Sequence, residues 1–311
     1  MSSEHLSEQI KAEAKNLGFF ACGIAKAAPV GHDVAEAFGK WLSQGGNADM
    51  AYMANHADKR LNPSLLMPGV KSIVSVALSY APQRRMPPDQ LQLSVYAYGH
   101  DYHDLMKAKL RALAASIDAL HPAHMRCFCD TAPVLERYWA VQAGLGWIGR
   151  NRQLIIPHAG SMFFLGELFL DIDLQPDAPM TGRCGHCRAC LDACPTGALG
   201  SRLSDFNATA CLSYQTIENR GPLSPAAAKA LGSTIYGCDR CQAACPHNSH
   251  ARPTTEPLLQ PSPSLLSMTR NDWRTLTIDD YRRLFRGSAV KRAKYEGLMR
   301  NIAAALNNET N

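Results

Sequence analysis

No stretch of this chain approaches the roughly 18 to 20 consecutive apolar residues needed to cross a bilayer. The opening "MSSEHLSEQIKAEAKNLGFF" carries acids where an export signal would be basic and then apolar. Both absences point to a cytoplasmic protein with no membrane partner. Two nucleotide fingerprints are also missing: there is no G-x-G-x-x-G after a strand and no G-x-x-x-x-G-K-S/T. Nicotinamide, Rossmann-type flavin and nucleotide hydrolysis therefore lack their usual phosphate-cradling loops. Charge is modest, at 19% of residues and a net +5. Outside one short region cysteine is scarce, with Cys22, Cys127 and Cys129 alone, and Cys127 and Cys129, alternating on one strand, read as packing residues.

What is present divides into three parts. The chain has 311 residues, 46% of them hydrophobic, enough for one large core and a smaller module. Over residues 1–175 helical and extended patterns alternate. "SEQIKAEAKNLG" is helical and stops at Gly18; "FFACGIA" and "KSIVSVALSY" suit buried strands; "DYHDLMKAKLRALAASIDAL" is a helix beginning at Asp101. "HMRCFCD" reads as a strand ending at Asp130, "APVLERYWAVQAGLG" as a helix, and "SMFFLGELFLDIDL" as one or two strands. The alternation favours an α/β domain. Residues 176–250 hold the cysteine-dense module, and residues 251–311 form a proline-rich linker and a tail of two short helices joined at Gly287. From Ser262 to Asn311 there are nine Lys/Arg against five Asp/Glu, so most of the net charge sits in that tail and suits an anionic partner.

The dense region carries the strongest signal. Cys184, Cys187, Cys190 and Cys194, followed by Pro195, form C-x2-C-x2-C-x3-C-P, the bacterial ferredoxin run in which the fourth thiolate serves the other cluster. A second run keeps Cys238, Cys241 and Cys245-Pro246 but has Ile235 where its first thiolate would stand; Cys211 supplies the missing one. Eight thiolates suit two 4Fe-4S clusters. Crossing assigns Cys184, Cys187, Cys190 and Cys245 to one, and Cys194, Cys211, Cys238 and Cys241 to the other. Structural zinc would prefer two separated Cys-x-x-Cys knuckles, and disulfides do not suit a reducing compartment.

The acceptor of those electrons is expected in the large domain. Asp130 is either a helix cap or a proton donor, a carboxyl whose pKa rises when it is desolvated beside a cofactor. His100 and His103 are acid/base groups, metal ligands or merely structural, and Tyr98 and Tyr102 either line a pocket or are merely half-buried. "GLGWIGRN" is glycine-rich and suits a backbone passing close to something bulky.

Taken in order, "YAYGHDYH", "DTAPVLERYWAVQAGLGWIGRN", the ferredoxin run, "CLSYQTIE", "GCDRCQAACPHN" and "LFRGSAVKRAKYEGLMRNIAAAL" resemble the epoxyqueuosine reductases over nearly the whole chain. The resemblance implies a cobalamin-binding α/β domain, similar in its core to reductive dehalogenases, fused to a ferredoxin module with two 4Fe-4S clusters and a short helical tail. It implies reduction of epoxyqueuosine to queuosine at the wobble position of tRNA, the final step of queuosine synthesis. Electrons would pass from a low-potential donor of flavodoxin or ferredoxin type through the clusters to cobalamin, in a monomer. Asp130 takes the position of the family's proton donor. Cobalamin would be met by the segments around Met53, Ala97, Tyr98, Asp130, Leu154 and Leu165, with Ser213 and the Cys238-Asp239 backbone on the cluster side. Arg286, Lys291, Arg292, Lys294 and Arg300 would face tRNA phosphates, or form an ordinary solvated helix face. Many members continue past this point into helical repeats. The competing readings are a cobalamin-dependent reductive dehalogenase of a small molecule and a plain electron-transfer protein.

Overall fold

The computed structural model describes residues 2–200 and 203–308; the last three residues of the tail lie outside them. Helix α1 (Ser3–Asn16) precedes strand β1 (Ala21–Lys26), and β2 (Ser72–Ser79) and the two-residue β3 (Gln92–Leu93) follow. Next come α2 (Tyr102–Leu120), β4 (Met125–Phe128), α3 (Glu136–Gln142), the short β5 (Trp147–Ile148) and β6 (Leu154–Ile155), and β7 (Phe163–Leu170). Strands β1, β2, β7 and β4 form one sheet in that order, every pair antiparallel. Each expected strand is present, and "SMFFLGELFLDIDL" supplies one strand rather than two.

The near-continuous apolar character of β2 and β7 follows from their central position, since both faces of the sheet are covered. On one face α1 and α2 bring Leu6, Ile10, Met106, Leu110, Leu113 and Ile117 against Ile24, Val74, Val76, Leu168 and Leu170. The four α2 residues are completely buried, a gross gain of about 6–12 kcal/mol before conformational entropy is subtracted. On the other face Trp139 and Ala140 of α3 meet Ala25, Ile73, Ala77, Leu165 and Phe169. Gly23 lets β1 and the end of α3 touch: a Cβ there would lie 2.0 Å from the Ala143 carbonyl oxygen.

The cysteine-bearing segment is stitched into this domain. Strand β8 (Thr234–Tyr236) pairs in parallel with β3, and helices α4 (Leu212–Ile217) and α5 (Pro225–Leu231) pack beside it. The tail folds back over them. After helix Ile278–Leu284 the chain turns at Gly287 (φ 67°), makes a 3-10 turn over Ala289–Ala293, and runs as α6 (Lys294–Asn307). The tail is thus longer and more ordered than two short helices. One core cluster joins Val74 and Leu168 of the sheet to Tyr236 of β8 and to Trp273, Leu298 and Ile302 of the tail. Buried Asn301 in α6 donates from its side-chain amide to the carbonyls of Thr216 and Ile235, both at 2.9 Å.

Candidate active site

Strand β4 delivers Asp130 just beyond its end, in a tight turn closed by the Thr131 N–H on the Cys129 carbonyl at 2.6 Å. Asp130 has φ +56°, left-handed backbone that a non-glycine residue holds only when its surroundings impose it. Its N–H donates to Glu136 Oε1, the first residue of α3. Asp130 is not a helix cap: the residue at the start of α3 is Leu135. The Asp130 carboxylate is 58% exposed and accepts from the Tyr102 hydroxyl at 2.8 Å and from His103 Nε2 at 3.1 Å.

Both partners stand in the first turn of α2, whose cap is Asp101. One Asp101 oxygen accepts from the His103 backbone N–H at 3.1 Å and from His103 Nδ1 at 2.6 Å. The Tyr102 ring stacks on Phe164 at 4.0 Å and on the imidazole at 4.1 Å, which fixes both polar tips toward Asp130.

Burial raises the Asp130 carboxyl, but hydrogen bonds from His103 and Tyr102 outweigh it and hold the group below its usual range. His103 is pushed up to about 9, first by its bond to Asp101 and then by Asp130. At neutral pH the site therefore keeps its proton on the imidazole, between two carboxylates. Tyr102 is driven far above the usual phenol range by burial and the Asp130 charge, so it remains a donor.

Sequence reasoning left His103 and Tyr102 open and treated Asp101 as a cap alone. The Asp-Tyr-His run at a helix start was the available signal; its pairing with Asp130 depends on how β4 lies beside α2. Glu136 and Glu167 were missed altogether, although a lone glutamate inside "FFLGELFL" is conspicuous in a buried strand.

The eight thiols gather in two places. Cys184, Cys187, Cys190 and Cys245 ring a small cavity also lined by Arg150, Asn151, Ile155, Pro246 and His247. Cys238 and Cys241 stand near Cys211, which in turn stands near Cys194. Backbone N–H groups of Thr196, Ala198 and Leu199 point at the Cys194 sulfur, as they would at a thiolate ligand. All eleven cysteines are free. Among the described residues no group of three or more His, Cys, Asp or Glu side chains is set to hold a single metal ion. Thiols spread around a space fit a polynuclear cluster better than one tetrahedral ion.

An aromatic row links the two regions. Tyr102 packs edge-on to Tyr96, whose hydroxyl bonds that of Tyr236 at 3.1 Å, two residues before Cys238. The Asp239 carboxylate accepts from the Val95 N–H at 2.8 Å and from the Ser94 hydroxyl, so its side chain is committed to the junction and only its backbone can meet a cofactor. Of the other residues expected around cobalamin, Ala97, Tyr98, Leu154 and Leu165 turn buried side chains into the core, while Met53 and Ser213 are half-buried.

The basic tail residues part company. Arg286, Lys291 and Lys294 are exposed. Arg292 is exposed but pairs through two nitrogens with Glu218, at 3.0 and 2.9 Å, and lies 5.9 Å from the Tyr52 ring. Arg300 is no phosphate ligand: its guanidinium donates to the carbonyls of Gln215 (2.7 Å), Asn219 (2.9 Å) and Gly221, tying off the end of α4. Those carbonyls have no intrahelical donor, and the arginine supplies one.

Residues 60–131 match the family described as "Epoxyqueuosine reductase QueG, DUF1730", and residues 183–248 match a 4Fe-4S double cluster binding domain. The epoxyqueuosine reductase of Cellulophaga algicola is 43% identical over 302 residues, covering 97% of this chain and 98% of the relative. That of Pseudomonas aeruginosa is 39% identical, covering 97% and 85%. Among solved structures, an epoxyqueuosine reductase with a tRNA-Tyr epoxyqueuosine-modified tRNA stem loop aligns with a TM-score of 0.88 at 28% identity, over 99% of this chain and 82% of that one. The enzyme from Bacillus subtilis, with its catalytic aspartate loop swung out of the active site, aligns at 0.86 and 27% identity, with coverage of 99% and 82%. With relatives above 30% identity covering nearly its full length, this chain belongs to the epoxyqueuosine reductase family, whose members are oxidoreductases.

Proposed function

We propose that this enzyme reduces epoxyqueuosine to queuosine at the wobble position of tRNA, with the proton stored on His103 passing through Asp130 to the departing epoxide oxygen. The observation that carries this reading is the exposed Asp130 carboxylate, hydrogen-bonded to Tyr102 and to His103, an imidazole that its two carboxylate partners push up to about 9. The overall change takes two electrons and two protons: both C–O bonds of the epoxide break, a C=C bond forms, and the oxygen leaves as water. Asp130 at the open edge and His103 behind it form a relay that can be refilled from solvent after the first proton has gone.

Two 4Fe-4S clusters would be held by Cys184, Cys187, Cys190 and Cys245, and by Cys194, Cys211, Cys238 and Cys241. A low-potential flavodoxin or ferredoxin would load the first group, whose Cys187 is exposed. Cobalamin, when bound between Asp130 and the second group, supplies a low-potential metal able to transfer electrons to the epoxide carbon. Met53 and Ser213 would meet it with side chains, and Ala97, Tyr98, Leu154, Leu165, Cys238 and Asp239 through backbone and apolar surface. Arg286, Lys291, Arg292 and Lys294 would face the tRNA backbone. As in the Bacillus subtilis neighbour, the Asp130 loop would have an inner and an outer position.

The test is anaerobic reconstitution with iron, sulfide and cobalamin, incubation with epoxyqueuosine-containing tRNA and a low-potential reductant, and mass spectrometry of the wobble nucleoside. Conversion that needs added cobalamin is expected, and Asp130→Asn should keep every cofactor while losing turnover. Near-normal turnover in that variant would remove Asp130 from the role.

A further inference from the structure

Glu167 lies at the middle of the central strand β7, opposite Ser75 of β2 and Phe128 of β4, with no exposed surface. A lone ionised carboxyl in such a place costs several kcal/mol, and nothing in the chemistry so far uses it. Its side chain leaves the sheet on the face covered by α3. Its polar neighbours there are the Ser75 hydroxyl and the carboxyl of Glu136. Neither Glu167 oxygen completes a hydrogen bond, and the buried Ser75 hydroxyl completes none either. Two neighbouring carboxyls in an apolar layer cannot both be charged, so a contact between them is sound only with a proton in it.

Glu136 is the other half of that contact and also the acceptor of the Asp130 N–H. It faces Asp130, His103 and Arg137, and Arg60 and Cys129 stand close by. Burial and the Asp130 charge push Glu136 up to about 8, and burial with the Glu136 charge raises Glu167 well above the carboxylate range. Farther along the loop, buried Arg60 donates to the carbonyls of Val134 and Tyr52 at 3.4 and 3.1 Å. The loop is thus pinned at its far end by a permanent cation and at Asp130 by a carboxyl that is itself held from below.

We propose that Glu136 and Glu167 are a proton-sharing positioning pair: Glu167 donates a proton to Glu136, and Glu136 uses its other oxygen to hold the Asp130 backbone in its left-handed turn beside the substrate. Neither glutamate touches the reacting atoms. They offset the cost of an unfavourable φ at the one residue that must present its carboxyl outward. The inference rests on the proposed role of Asp130 and adds what keeps that residue in the inner position.

The test uses the holoenzyme and two readouts that do not depend on turnover. Infrared spectroscopy at pH 7 should show the C=O stretch of a buried protonated carboxyl in the parent enzyme, weakened in Glu167→Gln. Amide hydrogen exchange should show the Asp130 N–H opening at least about tenfold faster in Glu136→Ala, the expected consequence of losing a hydrogen bond to a buried carboxyl. Glu136→Gln keeps an acceptor for that N–H and a donor for Glu167, and Glu167→Gln keeps a donor for Glu136. Both should retain protection, which separates the latch from a general loss of packing. In steady state Glu136→Ala should lower kcat with KM for the tRNA little changed, and Glu136→Gln should restore kcat. Absence of a protonated carboxyl band in the parent, or Asp130 protection unchanged in Glu136→Ala, would overturn the pair. Turnover surviving in Asp130→Asn would instead sink the catalytic reading and leave the exchange and infrared results standing.

Discussion

Asp101→Asn is the substitution that most directly asks where the proton waits. Asp101 is remote from the open edge of the site, and asparagine caps a helix as well as aspartate, so α2 keeps its start. What changes is the imidazole, because the Asp101 bond is the largest cause of its elevation. The ordinary value is 6.5 and the value here is about 9. Losing the larger of the two carboxylate contributions should lower His103 back toward its ordinary value of 6.5. The imidazole carries its proton below its pKa and loses it above, so the substitution harms the enzyme on the alkaline side. At pH 8.5 the parent imidazole is about three-quarters protonated and the variant's is mostly neutral, so the single-turnover rate should fall by at least about threefold. At pH 6.5 the parent is nearly saturated with the proton and the variant at least about half protonated, so the rates should agree within about twofold. The assay is conversion of an epoxyqueuosine stem loop by excess pre-reduced enzyme, followed by mass spectrometry across pH 6.5 to 9. A ratio of parent to variant that stays flat over that range would refute the imidazole store.

Other residues make separable claims. Cys245→Ser and Cys211→Ser should each remove about half of the bound iron, and should abolish different cluster signals in electron paramagnetic resonance; loss of the same signal in both would contradict the crossed ligand sets. Arg300→Ala strips a donor from three carbonyls and should destabilise the fold by about 2–4 kcal/mol, seen as a lower melting temperature of the holoenzyme. Lys291→Ala should leave stability within about 0.5 kcal/mol, weaken tRNA binding, and reduce the slope of log affinity against log salt by about 0.7 to 0.9. An unchanged salt slope would take that residue out of the tRNA surface.

Much of the fold is legible because its causes are local. The apolar runs of β2 and β7, the helical spacing of α2 and the cap at Asp101 are all written in adjacent residues, and the thiolate spacings carry the cluster chemistry outright. The site is only half legible. Asp130 stands at a strand end that the sequence marks, but its partner His103 lies on another element, brought alongside when β4 pairs with the edge of β7. The direction of the Asp130 shift is illegible for the same reason: burial can be guessed from a sequence, whereas two hydrogen-bond donors from a distant helix cannot. Arg300 makes the complementary point. On an amphipathic helix a cation that faces water and one that faces three orphan carbonyls have the same spacing, and only the position of α4 distinguishes them.

The parallel pairing of β3 with β8, the Asp239 clasp on Val95 and the tail strapped across α4 have a kinetic consequence. In a carrier that docks and leaves, the reductant reaches its acceptor through a distribution of distances, and solvent viscosity enters the rate. Here the wall that bears Cys238 is hydrogen-bonded to the same segment that leads into Tyr102 and His103. On the proposed electron route the last tunnelling step crosses a gap set by backbone geometry, so it should be indifferent to viscosity and sensitive to a substitution at Ser94 or Asp239 that widens the seam by a fraction of an ångström.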